Sequence, residues 1–163
     1  MKVSFRNALT KDCNRLTEIA FASKRTWNYP EEYFEIWKDE LTIPEKYIRN
    51  NEVIVALVNE LIVGFVSVVY LREDMQFGQV KVSGGYWMDH LFIDPDFQHK
   101  GIGKRLMDKA INYCKSKGVT HLKIFVDPNA TGFYEKVGAV FLENSPSSIE
   151  RRTVHVYQLI VNY

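Results

Sequence analysis

Cysteine is scarce in this sequence: Cys13 and Cys114 are the only two among 163 residues, and each falls within a helix-like pattern. A disulfide framework and a cysteine-rich metal centre are therefore not expected, no metal site is assigned, and a reducing, cytoplasmic setting fits best. An excess of charge of one sign is lacking too. Lys and Arg number 21 against 20 Asp and Glu, which leaves no general basic field for nucleic acid and no acidic bias suggesting disorder. No run of apolar residues approaches the roughly 18 that cross a bilayer, and residues 1–10 lack the basic patch and apolar stretch of a secretory leader. Membrane, secretory and nucleic-acid roles are accordingly not expected. Repeats and low-complexity tracts are missing as well. What is present is 46% hydrophobic residues, enough for the ordinary core of one domain spanning 1–163.

The N-terminal third reads as mostly helical. A short strand over residues 2–7 leads to Thr10, which offers an N-cap oxygen to a helix with Leu16, Ile19, Ala20 and Ser23 at helical spacing. Tyr33, Phe34, Trp37 and Leu41 mark a second helical stretch, and Thr42 with Glu45 makes a capping box for a further turn or two ending near Asn50. From Val53 the pattern changes. Residues 53–58 and 61–71 are rich in β-branched side chains and are separated only by Asn59-Glu60, the signature of a hairpin. Residues 72–83 read as a loop and 86–93 as a strand that Pro95 stops. Ile102, Leu106, Ala110 and Cys114 recur every four residues on a helix that Gly118 can close. A strand over 121–126, a short helix over 131–137 and strands over 139–143 and 153–161 follow. That order implies a mixed sheet with helices packed on it, an α/β (α+β) fold.

The segment Ile93-Asp94-Pro95-Asp96-Phe97-Gln98-His99-Lys100-Gly101-Ile102-Gly103-Lys104 places glycines between a strand end and a helix start. The first-turn amides of a helix have no internal acceptors and carry the positive end of its dipole. Glycine lets a phosphate approach them without a Cβ in the way. Lys100 and Lys104 add charge there. The plainer alternative is a tight strand-to-helix connection, since a bare Gly-x-Gly is a short motif. Two familiar phosphate loops are excluded. Gly103 is followed by Lys104 and Arg105, with no hydroxyl for magnesium, and Leu106 stands where a dinucleotide loop needs its third glycine.

Gln98-His99-Lys100-Gly101-Ile102-Gly103 resembles the signature of the GCN5-related N-acetyltransferase (GNAT) family: Gln or Arg, two residues, Gly, any residue, then Gly or Ala. The likeness extends through residues 87–95 upstream and Asn129-Ala130-Thr131-Gly132-Phe133-Tyr134-Glu135-Lys136-Val137-Gly138-Ala139 downstream. It implies a mixed, mainly antiparallel sheet of about seven strands, splayed centrally and flanked by about four helices. It also implies acetyl-CoA as cosubstrate, with the pyrophosphate on the amides of Gln98, His99, Lys100, Gly101, Ile102, Gly103 and Lys104. Leu91, Phe92 and Ile93 would present backbone groups to pantetheine and thioester, one of them an oxyanion donor. Asn129 would hold the cofactor arm, and Tyr134 would point at the sulfur and protonate the departing thiolate.

Acetyl transfer to an amine requires a neutral nucleophile, hence a base. The resemblance puts a carboxylate at Asp89, acting directly or through water; the alternative is a strand-end aspartate that orients a neighbour. His90 is the rival base, because imidazole as a type titrates near neutrality. Its alternative is a packed structural histidine. Tyr134, next to Phe133, could equally pack a short helix. Trp27, Tyr29, Glu31, Glu32, Tyr33, Glu35 and Trp37 form an aromatic and acidic stretch; Phe34 and Trp37 read as core residues, and the acidic edge could meet a cationic amine. The expected partner is a small-molecule primary amine. A protein amine and a non-catalytic acetyl-CoA-binding module are the alternatives, and a homodimer is left open.

Overall fold

The computed structural model describes residues 1–161. Their order is β1 (Ser4–Asn7), α1 (Cys13–Arg25), α2 (Glu31–Leu41), α3 (Glu45–Asn50), β2 (Glu52–Val58), β3 (Leu61–Leu71), β4 (Met75–Phe77) and β5 (Val80–Val82). β6 (Gly85–Ile93), α4 (Ile102–Ser116), β7 (His121–Val126), α5 (Thr131–Lys136), β8 (Val140–Pro146) and β9 (Thr153–Ile160) complete it. Seven strands form one sheet in the order β1-β2-β3-β6-β7-β9-β8, and β4 and β5 form a hairpin of their own. The mixed, mostly antiparallel sheet is the expected fold, with five α-helices among the described residues where about four were expected. The chain folds as two compact units, one of Met1–Val68 with His90–Ala110, the other of Val69–Asp89 with the described residues from Ile111 onward.

In the first unit the helical spacing is that of burial. Leu16, Ile19 and Ala20 on α1 are fully enclosed, as are Ile102, Leu106, Met107 and Ala110 on α4, and Phe34, Trp37 and Leu41 are buried on α2. The β2–β3 hairpin turns at Asn59-Glu60, both left-handed (φ 49° and 67°), the conformation whose twist suits a two-residue hairpin. A register shift at Ala56/Leu57 leaves Val63 of β3 without a partner on β2. The carbonyl of Val63 instead accepts the Asp94 amide at 2.8 Å, tying the end of β6 to the bulge. In the second unit Val82, Trp87 and Val156 form a small core with Val69, Leu71, Val80 and Phe125 against it.

Three expectations are corrected. Thr10 is not the cap of α1, which starts at Cys13 after a single 3₁₀ turn over Thr10–Asp12; the Asp12 carboxylate takes the Leu9 amide and the Arg6 guanidinium, each at 2.8 Å. Thr42 and Glu45 form no capping box: Pro44 precedes α3, and the Thr42 hydroxyl donates back to the Lys38 carbonyl at 2.6 Å. Residues 72–83, read as a loop, contain the β4–β5 hairpin, whose strands of three residues each are too short to leave a periodic signal.

Cys114 is fully enclosed, and burial pushes its thiol from the ordinary 9.0 up to about 11. The folded state therefore holds this proton more tightly than the unfolded chain does. The resulting stabilisation is complete below pH 9 and lost as the pH rises from about 9 to 11. We expect the unfolding free energy to decline across that window. Cys114→Ala, although less stable throughout, should show a decline shallower by about 2 to 3 kcal/mol, measured by urea denaturation at a series of pH values.

Candidate active site

β6 and β7 are parallel neighbours in the sheet, paired at Trp87 with Lys123 and Met88 with Ile124. β6 runs on to Ile93. Leu91, Phe92 and Ile93 are apolar yet only half-buried. Gly64 on β3 lets this strand end lie close: a Cβ there would stand 3.0 Å from the Phe92 carbonyl and 2.7 Å from Ile93 Cδ1. Sequence reading missed Gly64, which has no motif around it.

β6 runs directly into the glycine loop. Asp94 caps a 3₁₀ turn over Pro95–Phe97 by accepting the Asp96 amide at 3.0 Å. Its other oxygen meets the Arg15 guanidinium at 2.6 Å, while Arg15 Nε donates to the Ile62 carbonyl at 3.0 Å. Arg15 was another residue that sequence patterns did not single out, because its partner lies 79 positions away. His99 (φ 60°) and Gly101 (φ 79°) are both left-handed, which curls the chain into the first turn of α4. The Arg105 amide bonds the Gly101 carbonyl at 3.3 Å, so the amides at 102–104 are those that a helix start leaves without an internal acceptor. A Cβ at Gly101 would meet nothing within 4 Å, and open space lies over the turn. This is a concave run of N–H groups suited to a phosphate.

The side chains of Gln98 and Lys104 are committed elsewhere. Gln98 Nε2 donates to the Ile93 carbonyl at 3.2 Å and to Ser23 Oγ at 3.4 Å, bracing the loop against β6 and α1. Lys104 Nζ sits 2.6 Å from Asp108 on an exposed face, and His99 and Lys100 are exposed.

On β6, Asp89 is exposed and His90 half-buried. The His90 ring lies among Tyr47, Phe65 and Phe92, with centroids at 5.7, 6.1 and 5.6 Å. Its amide donates to Ser67 Oγ at 3.1 Å, and Ser67, fully buried, shares a 2.8 Å hydrogen bond with the Tyr47 hydroxyl. The histidine is thus held by packing and by its own backbone.

In the second unit β7 ends as β6 does, in an Asp-Pro pair. Asp127 accepts the Asn129 amide at 2.9 Å and the Arg152 guanidinium at 3.2 Å, so both parallel strands end in an arginine-braced Asx turn. Asn129 is exposed on that turn. Tyr134, on α5, is 8% exposed with its ring edge-on to Phe133 at 5.1 Å. Its hydroxyl makes no hydrogen bond among the described residues, and none of their fully enclosed side-chain oxygens lacks a partner, so the oxygen reaches the surface. Burial of the ring raises its pKa, which keeps the phenol protonated well past neutrality. Two other concavities in this unit, of about 260 and 360 Å³, involve neither Asn129 nor Tyr134, although Arg152 lines the smaller.

A strand that leads through a left-handed turn into a helix start with unaccepted amides is an arrangement suited to a phosphate-bearing ligand. The chain belongs to the acetyltransferase (GNAT) family, whose model matches residues 14–139. It is an acetyl-CoA-dependent N-acetyltransferase. Among its relatives are spermidine N(1)-acetyltransferase of Thermoplasma acidophilum, 26% identical over 147 residues, 82% of this chain and 84% of that protein. Another is peptidyl-lysine N-acetyltransferase YjaB of Salmonella typhimurium, 30% identical over 113 residues, 66% of this chain and 74% of the relative. The fold is that of PaiA N-acetyltransferase from Thermoplasma acidophilum, crystallised with coenzyme A: TM-score 0.73 at 20% identity, over 98% of this chain and 99% of the other. No helix among the described residues is long and apolar enough to cross a membrane.

Proposed function

We propose that the chain acetylates a primary amine of a small molecule by direct attack, and that it works as one domain in the cytoplasm. The observation that carries the reading is the left-handed turn at His99 and Gly101 directly after β6, which leaves the first-turn amides of α4 without acceptors and suits them to a pyrophosphate. The likeness over most of its length to a spermidine acetyltransferase supports a small acceptor. The match to a peptidyl-lysine acetyltransferase supports a protein amine as the second reading.

In this reading acetyl-CoA supplies an activated acetyl group. Amides from Gln98 to Lys104 hold its phosphates, the backbone of Leu91, Phe92 and Ile93 holds its arm and turns one N–H toward the carbonyl oxygen, and Asn129 steadies the arm. Asp89, exposed to the medium, takes a proton from the arriving ammonium directly or through water. His90 is second choice, since three aromatic rings confine its imidazole. Tyr134 keeps its proton until a thiolate is to be capped. The exposed Val140, Phe141 and Leu142 on the edge strand β8 support a homodimer.

A panel of amines assayed for release of free coenzyme A, with mass analysis of the product, tests the reading. No release with any small amine, but release with lysine peptides, would move the acceptor class. If Asp89 is the base, Asp89→Asn slows turnover at neutral pH by about 10², and raising the pH recovers part of the rate by supplying neutral amine. An unchanged pH-rate profile in Asp89→Asn would transfer the role to His90 or solvent.

A further inference from the structure

Between α1 and α2 the chain turns back through a left-handed Asn28 (φ 57°), and Tyr29, Tyr33 and Trp37 come together. Tyr29 and Trp37 stand nearly perpendicular, at 81° with centroids 5.1 Å apart, and Tyr33 touches both, at 6.0 and 5.5 Å. The corner holds a cation. Lys24 Nζ lies 4.6 Å from the centre of the Trp37 ring and 5.5 Å from that of Tyr29. α2 carries Glu31, Glu32, Glu35, Asp39 and Glu40 against the single Lys38, Glu31 being paired with Arg25 at 2.6 Å, so its exposed carboxylates outnumber the nearby cations. The corner is also joined to the cofactor loop: Ser23, the residue before Lys24, accepts a hydrogen bond from Gln98 at 3.4 Å.

Aromatic faces at right angles attract alkylammonium groups through the ring quadrupoles, and nothing in that attraction distinguishes a lysine of the chain from the ammonium of a ligand. We propose that the Tyr29–Trp37 corner recognises a second, non-reacting ammonium of the acceptor, and that Lys24 is a built-in competitor for the place. The acceptor class is then an aliphatic amine with at least two positive charges. One ammonium displaces Lys24 while the other amine is acetylated. This rests on the small-molecule reading above.

Two measurements separate the two ideas. Choline and its neutral isostere 3,3-dimethylbutan-1-ol are titrated against the intact protein by tryptophan fluorescence, with no turnover needed. Lys24→Met, which vacates the corner while keeping an apolar stem, should bind choline about tenfold more tightly than wild type and should prefer it to the alcohol. Tyr29→Leu in the Lys24→Met background should abolish the preference; Trp37 is left in place because it is buried in the first unit. In steady state, Lys24→Met should lower the KM for 1,4-diaminobutane about tenfold with kcat unchanged, and leave the KM for butylamine where it was. Equal binding of alcohol and choline, or choline affinity indifferent to Lys24→Met, overturns the cation site. Choline binding with no change in the diamine KM overturns its part in acceptor recognition. Absence of turnover with every small amine would sink the small-molecule reading, while the choline titration still reports on the corner.

Discussion

Replacing Tyr134 by phenylalanine should lower turnover by about 10² while leaving cofactor affinity and the urea unfolding midpoint close to wild type. The asymmetry follows from where the oxygen lies. The ring is buried against Phe133, and phenylalanine keeps it; the hydroxyl makes no hydrogen bond among the described residues, so its removal breaks no internal contact. Because burial raises the phenol pKa, the proton is present throughout the neutral range, and any loss belongs to its delivery and not to its availability. The thiol of coenzyme A is a fair leaving group, which puts the effect at the lower end of the range for a lost general acid. If product release limits the wild type, steady-state rates would mask part of it, and single-turnover measurements at saturating cofactor and amine isolate the chemical step. Equal single-turnover rates in the two proteins would make Tyr134 a packing residue, with water as the proton source.

Gly101→Val should weaken acetyl-CoA binding by at least about tenfold and cost about 1 to 3 kcal/mol of stability, the usual penalty for a β-branched residue held in the left-handed region. At φ 79° the cost is conformational: an added Cβ meets no protein atom within 4 Å, so there is no clash to relax. The chain can escape only by changing φ, and that change turns the amides ahead of Arg105 away from the place where they converge. Lys100→Ala is the control, since it removes an exposed charge and leaves the turn alone; its effect on affinity should be within about 1 kcal/mol. Isothermal titration with acetyl-CoA, well below each variant's unfolding temperature, separates affinity from stability. A Gly101→Val protein that binds like wild type would show that the curl at 99–101 is only a connector.

Local chemistry made much of this molecule readable from residue order. The helix positions Leu16, Ile19 and Ala20, the hairpin around Asn59-Glu60, the stop at Pro95 and the glycine turn before α4 depend on neighbours within about four residues, so each left its mark in a short window. The GNAT resemblance likewise rested on short runs, residues 87–95, 98–103 and 129–139. Contacts across long separations left no such mark. Arg15 reaches Asp94 over 79 positions, Tyr47 meets Ser67 over 20, and the bulge at Val63 receives Asp94 because the β2–β3 register slips by one residue. The β4–β5 hairpin stayed hidden for the opposite reason, its strands being too brief for alternation to show. Composition likewise put aromatic and acidic residues between 27 and 37, but their meeting around Lys24 depends on α1 and α2 folding back on each other. Spacing along a chain determines a helix face or a turn; which distant faces share a cation or a hydrogen bond is decided only when the sheet and its helices have packed.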